Sequence, residues 1–214
     1  MIKKIKQGIN KKVIYSLRHN KQKKEIEPIC FLSSNCLGGV ISHDLGMKFI
    51  SPTVNLWMSP QDFVCFVAEL DKYLFLDLED CGKDEEGKPI AKLGELYIHG
   101  THYKSFNELK EKWNERKQRV DKYRIFLLLT DQNGCNNEVV ERFMVLPYPK
   151  LFFTSNERYR TYESAVYIDS DKYKKRNNGR SLVDDLCLFK GFSGKRNYEY
   201  YINIDSILKK MEKF

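Results

Sequence analysis

The run Tyr123-Arg124-Ile125-Phe126-Leu127-Leu128-Leu129 limits the fold of this 214-residue chain more than any other stretch. It is an almost unbroken apolar segment bounded by polar turns, the pattern of a strand covered on both faces. Such strands belong to parallel sheets with helices above and below. Ile26 to Leu32 and Lys150 to Phe153 read as shorter strands of the same kind, expected to flank Tyr123 to Leu129 at the centre of the sheet. Leu93 to His99 reads as a further strand.

The segments between these strands carry helix signals. Ser59-Pro60-Gln61-Asp62 supplies an N-cap, a proline for the first turn and an acid near the positive end of the helix. Phe63, Phe66, Val67 and Leu70 give that helix a core face. Ser105 and Glu108 form a capping box ahead of a charged helix running to about Val120, anchored by Trp113. Helices are also expected from Val40 to Leu45, closed by Gly46, from Asn137 to Met144, and from Asp205 to Lys213. Cys81 to Lys88 reads as an exposed loop, Tyr159 to Gly194 is less regular, and Lys172 to Arg180 reads as a mobile loop. Alternating strands and helices predict an α/β fold: one domain with a mainly parallel sheet and helices on both faces.

The net charge of +8 is not spread evenly. Lys3, Lys4, Lys6, Lys11, Lys12, Arg18, Lys21, Lys23 and Lys24 give nine positive charges before the first acid, Glu25, and the remainder holds 28 basic against 29 acidic residues. Ile2, Ile5, Ile9, Val13 and Leu17 recur at helical spacing along the same segment. Residues 1–24 therefore read as a basic amphipathic arm and 25–214 as the α/β domain. An apolar stripe backed by lysines suits an anionic membrane surface; the alternative is a helix packed on its own domain. Nucleic acid is not an expected partner, since the arm lacks interleaved aromatics and the body is nearly neutral. No apolar run approaches the roughly 20 residues of a spanning helix, and no secretory signal opens the chain. These features predict a cytoplasmic protein, peripheral on the inner face of the cell membrane.

At 42% apolar and 31% charged residues the composition is that of a globular protein. Six cysteines are scattered with no CxxC pair and no histidine at zinc-ligand spacing, so reduced thiols and no metal centre are expected. Asp169-Ser170-Asp171 resembles an acidic metal motif but abuts a lysine-rich loop, and reads as a surface turn.

Ligands of open parallel sheets bind beyond the carboxyl ends of the strands. That rule selects Ser33 to Gly39, His99 to Tyr103, Thr130 to Cys135 and Thr154 to Asn156. Cys36 sits between a strand and a helix, where helix-terminal amides can lower a thiol's pKa and stabilise an oxyanion. A nucleophilic Cys36 requires a base, His102 or His99, and Asp131 to orient it. Asn35, Gly38, His99 and Asn133 are candidates to contact substrate. The structural alternatives are a small cysteine fitting a tight turn, a histidine satisfied by a backbone carbonyl, and an aspartate capping a turn.

Ser33-Ser34-Asn35-Cys36-Leu37-Gly38-Gly39, Gly94 to Tyr103, Lys112-Trp113-Asn114-Glu115-Arg116 and Thr130-Asp131-Gln132-Asn133-Gly134-Cys135 together resemble a bacterial family of exopolysaccharide biosynthesis proteins. The resemblance covers Phe31 to Phe153, with Leu37 where an aromatic is commoner and Gln132-Asn133 where a more charged pair is usual. It implies a place in capsule or exopolysaccharide synthesis beside glycosyltransferases. A transferase acting on a lipid-linked saccharide follows as an expectation. Acyl transfer is favoured because Cys36, His102 and Asp131 suit it, with acyl-CoA as a donor. The alternatives are glycosyl transfer from a nucleotide sugar, or a non-catalytic module that binds glycan or partner enzymes. No resident cofactor is expected.

Overall fold

The computed structural model describes residues 26–169, 180–189 and 194–214. The basic arm with Lys3, Lys4, Lys6, Lys11, Lys12 and Arg18 lies outside them, as do Ser170, Asp171 and the 172–179 part of the basic loop. In chain order the strands are β1 (Cys30–Ser33), β2 (Glu79–Lys83), β3 (Pro89–Leu93), β4 (Leu96–His99), β5 (Ile125–Thr130), β6 (Lys150–Thr154) and β7 (Ala165–Tyr167). The helices are α1 (Leu37–Asp44), α2 (Pro60–Ala68), α3 (Leu70–Phe75), α4 (Phe106–Lys117), α5 (Asn137–Met144), α6 (Leu182–Cys187) and α7 (Ile204–Met211).

Four strands form a parallel sheet in the order β1-β5-β6-β7, so the apolar run is central and flanked by the two strands expected beside it. Its side chains alternate between two cores. Ile125, Leu127 and Leu129 pack with α2, α3, α4 and α5, whereas Phe126 and Leu128 pack with α1, α6 and α7. Burying each such side chain on either face stabilises the fold by about 1.5–3 kcal/mol, and this two-sided burial removes the in–out alternation a surface strand would show. Tyr123 does not join the strand. It lies in a short 3₁₀ turn and is exposed.

Three local expectations are corrected. Leu93 to His99 is not one strand of the parallel sheet: Gly94, at φ +62°, breaks it into the β3–β4 hairpin of a separate antiparallel sheet, β2-β3-β4. Cys81 to Lys88 is loop only from Asp84, because Glu79–Lys83 pairs with β3 as a fully exposed strand. Helix α1 begins three residues earlier than expected, immediately after Cys36, and holds both glycines of the Gly38-Gly39 pair. Ser59 and Ser105 cap α2 and α4 by accepting from the amides of Asp62 and Glu108 at 3.0 and 3.2 Å. Trp113 is fully buried and packs its ring 5.8 Å from that of Phe66.

Candidate functional site

At the carboxyl end of β1 the chain turns through buried polar residues. Asn35 is 5% exposed and ties three segments together. Its Nδ2 donates to Thr130 Oγ1 at the end of β5 (3.0 Å), and its Oδ1 accepts from the Leu37 amide (3.1 Å) and from Ser33 Oγ (3.3 Å). The Ser33 amide donates to Thr53 Oγ1 at 3.1 Å, which brings the 51–58 segment over the same rim. Gly38 lets α1 approach β1 closely: a Cβ there would lie 3.0 Å from both the Phe31 carbonyl oxygen and Ser33 Cβ. Asn35 and Gly38 therefore place Cys36 at the N-terminal end of α1, and neither needs a ligand to explain it.

Cys36 Sγ lies 3.1 Å from His102 Nε2, although the residues are 66 positions apart. His102 stands in a short turn after β4 that is fixed on both sides. On one side His99 exchanges backbone bonds of 2.8 and 2.9 Å with Trp57, and the Gly100 amide donates to the Pro89 carbonyl at 2.8 Å. A side chain at position 100 would run into Leu109 and Pro89, at 2.5 and 2.8 Å. On the other side Tyr103 donates from its hydroxyl to the Val54 carbonyl (3.0 Å) and accepts from the buried Arg116 guanidinium (2.7 Å). Cys36 is partly buried and His102 exposed, so the pair is open to solvent.

Burial, with the Asp184 carboxylate adding to it, pushes the Cys36 thiol up to about 11. This is opposite to the direction expected from its helix-terminal position. Near neutral pH the Cys36 thiol is thus held in its protonated form, 3.1 Å from the imidazole. The amides of the first turn of α1 have no acceptor within the helix, apart from that of Leu37, which Asn35 takes. Those of Gly38 and Gly39 are donors of the type that stabilises an oxyanion.

The other expected residues do not surround the pair equally. Asp131 Oδ2 accepts from Thr154 Oγ1 (2.7 Å), the Ser155 amide (2.7 Å) and the Asn156 amide (3.2 Å), so it joins the ends of β5 and β6. Among the described residues no hydrogen bond joins Asp131 to His102. His99 belongs to the antiparallel sheet, with its ring edge-on to Trp57 at 4.5 Å, and burial holds it below the usual histidine range. Asn133 (φ +56°) and Gly134 (φ +85°) form the centre of a tight turn closed by the Cys135 amide donating to Gln132 at 3.2 Å. That accounts for the Asn-Gly pair without a ligand. Thr130 opens a segment that the strand-end rule selects, and its bond to Asn35 is what the fold adds. Asp184 carries no signal in the sequence, since it acts on Cys36 only through the tertiary packing of α6. Among the described residues no three His, Cys, Asp or Glu side chains are grouped to hold a metal ion.

The model of the family described as "Domain of unknown function (DUF1919)" matches residues 6–208. An uncharacterized protein of Haemophilus influenzae is 34% identical over 199 residues, spanning 92% of this chain and 93% of the relative.

Proposed function

The chain belongs to the DUF1919 family, and from that premise and its carboxyl-rim geometry we propose a thiol-dependent acyltransferase of surface-polysaccharide biosynthesis, working on a lipid-linked glycan at the cytoplasmic membrane face. The 3.1 Å contact between Cys36 Sγ and His102 Nε2 carries the chemistry. The pathway rests on the resemblance of the Cys36, His102 and Asp131 segments to exopolysaccharide biosynthesis proteins.

Cys36 is the nucleophile and His102 its general base. As Sγ attacks the carbonyl carbon of an acyl thioester, its proton passes to Nε2, and the carbonyl oxygen becomes an oxyanion facing the first-turn amides of α1. Collapse expels the donor thiolate, which takes the proton from His102. An acceptor hydroxyl then attacks the Cys36 thioester while His102 removes its proton, and the departing Cys36 thiolate is reprotonated from the imidazolium. Because the resting thiol is held at about 11, the base is required at neutral pH.

Incubation with a panel of acyl-CoA thioesters tests this, with an acyl adduct on the Cys36 peptide and release of free CoA as readouts. Cys36→Ala should abolish both, and His102→Gln should slow adduct formation by about 10²–10⁴-fold. The raised thiol favours a second reading, a non-catalytic glycan- or partner-binding module. Absence of any adduct, together with unchanged glycan binding by Cys36→Ala and His102→Ala, would establish that reading instead.

A further inference from the structure

Four large apolar side chains stand far out of the described surface: Tyr123 (97% exposed), Phe75 (88%), Val145 (82%) and Phe214 (74%). The next, Tyr200, is only 49% exposed. All four lie at one end of the molecule, the amino ends of the parallel strands. Tyr123 precedes β5 and Val145 precedes β6. The ring of Phe214 lies 5.7 Å from the ammonium of Lys150, the first residue of β6, and that ammonium donates to the carbonyls on either side of Val145, those of Met144 and Leu146, at 3.0 and 2.6 Å. Phe75 follows Asp71 by one turn of α3, and Asp71 is paired with Lys122, beside Tyr123.

The chain enters the domain at the same rim. Arg124 donates to the carbonyls of Glu27 (2.7 Å) and Pro28 (3.0 Å) and pairs with the Glu27 carboxylate at 3.1 Å. The segment leading in holds nine basic residues and no acid before Glu25. The last turn of α7 adds Lys209 and Lys210, and Lys213 stands beside Phe214. Of the rim acids, Asp71, Glu27 and Asp77 are paired with Lys122, Arg124 and Lys117, Asp121 accepts from the Tyr123 amide, and Glu212 is exposed beside Lys213.

We infer that the amino rim of the parallel sheet, opposite the Cys36–His102 pair, is the surface on which the protein lies against an anionic bilayer; this rests on reading residues 1–24 as a lipid-binding arm. Separate protruding aromatic and aliphatic side chains set among lysines suit a headgroup layer, where the apolar groups enter and the ammonium groups meet phosphate. A strand such as β5, six residues long, spans roughly 20 Å. The reactive pair therefore stands about that far above the lipid, and meets the distal end of a lipid-linked chain, not its headgroup.

Co-sedimentation of the full chain with vesicles of equal parts phosphatidylcholine and phosphatidylglycerol tests this. The comparison is with a rim variant (Phe75→Ser, Tyr123→Ser, Val145→Ser, Phe214→Ser) and an arm variant (Lys3, Lys4, Lys6, Lys11 and Lys12→Gln). The rim variant should bind about tenfold more weakly at physiological salt while keeping its thermal midpoint and its acyl-CoA chemistry. Wild-type binding by the rim variant with loss in the arm variant would overturn the rim assignment and leave the arm reading intact. Absence of wild-type binding, or self-association lost only in the rim variant, would overturn the inference. Position 123 gives the orientation: Tyr123→Trp should be quenched by nitroxide-labelled lipid and Glu157→Trp, at the opposite rim, should not. The reverse pattern also overturns it.

Discussion

Replacing His102 by alanine isolates what the imidazole does for the Cys36 thiol. A thiol at about 11 is ionised to about one part in 10³ at pH 8, against about one part in four for an ordinary thiol near 8.5. Without a base, Cys36 should therefore alkylate with iodoacetamide about 200-fold more slowly than free cysteine at that pH. Its rate should climb about tenfold per pH unit until the pH nears about 11. With His102 in place the proton has an acceptor 3.1 Å away, so the wild-type protein should react at least about tenfold faster near neutrality, within the range of general-base assistance. The assay is peptide mass spectrometry after timed alkylation, with the exposed Cys81 as internal reference. Asp184→Asn should also speed the reaction by removing a charge that opposes ionisation. Superimposable pH profiles for wild type and His102→Ala would refute the general-base argument. A wild-type midpoint below pH 8 that survives in His102→Ala would refute the burial argument.

Three further outcomes follow from the same geometry. Asn35→Ala leaves the Leu37 amide and Thr130 Oγ1 without their buried partner and should cost about 1–3 kcal/mol, read as a fall of about 2–4 °C in melting temperature per kcal/mol. Gly38→Ala should destabilise, because the added methyl meets backbone and Cβ atoms at 3.0 Å that cannot swing aside. Gly39→Ala meets only a Val54 methyl at 3.2 Å and should be near neutral. Burial raises the Cys36 thiol to about 11 and those of Cys135 and Cys187 to about 12. Folding stability should thus be unaffected by these groups below the ordinary thiol range and decline as pH rises through 9 towards 12. Melting curves at pH 7 and 10 should differ less in Cys36→Ala than in wild type.

The central strand and its neighbours were legible because burial on two faces leaves a mark in composition alone. So were the caps Ser59 and Ser105, since capping is chemistry within four residues. The β2 strand was not, because Glu79–Lys83 is exposed along its whole length and has no apolar face to betray it. The short β7, Ala165–Tyr167, is equally silent. His99 was assigned to the wrong sheet because an apolar alternation tells which residues face a core, but not which strands share a ladder. The rule of strand ends still led to His102, by a route the structure does not use: the antiparallel hairpin delivers it to the rim from outside the parallel sheet. Asp131 and Asn133 were picked for polarity at a strand end, where turn chemistry and ligand chemistry select the same side chains.

That delivery has a bearing on assembly. The thiol hangs from the four-stranded sheet and the imidazole from the three-stranded one, and each sheet has its own ladder of hydrogen bonds. A partly folded chain can complete either ladder alone and still hold no reactive pair. The Cys36–His102 contact therefore tracks the docking of two substructures across the 51–58 strap, a long-range event opposed by loop-closure entropy. A chain caught halfway along its folding route would carry Cys36 as an ordinary solvated thiol, because the burial that raises it to about 11 comes only with docking.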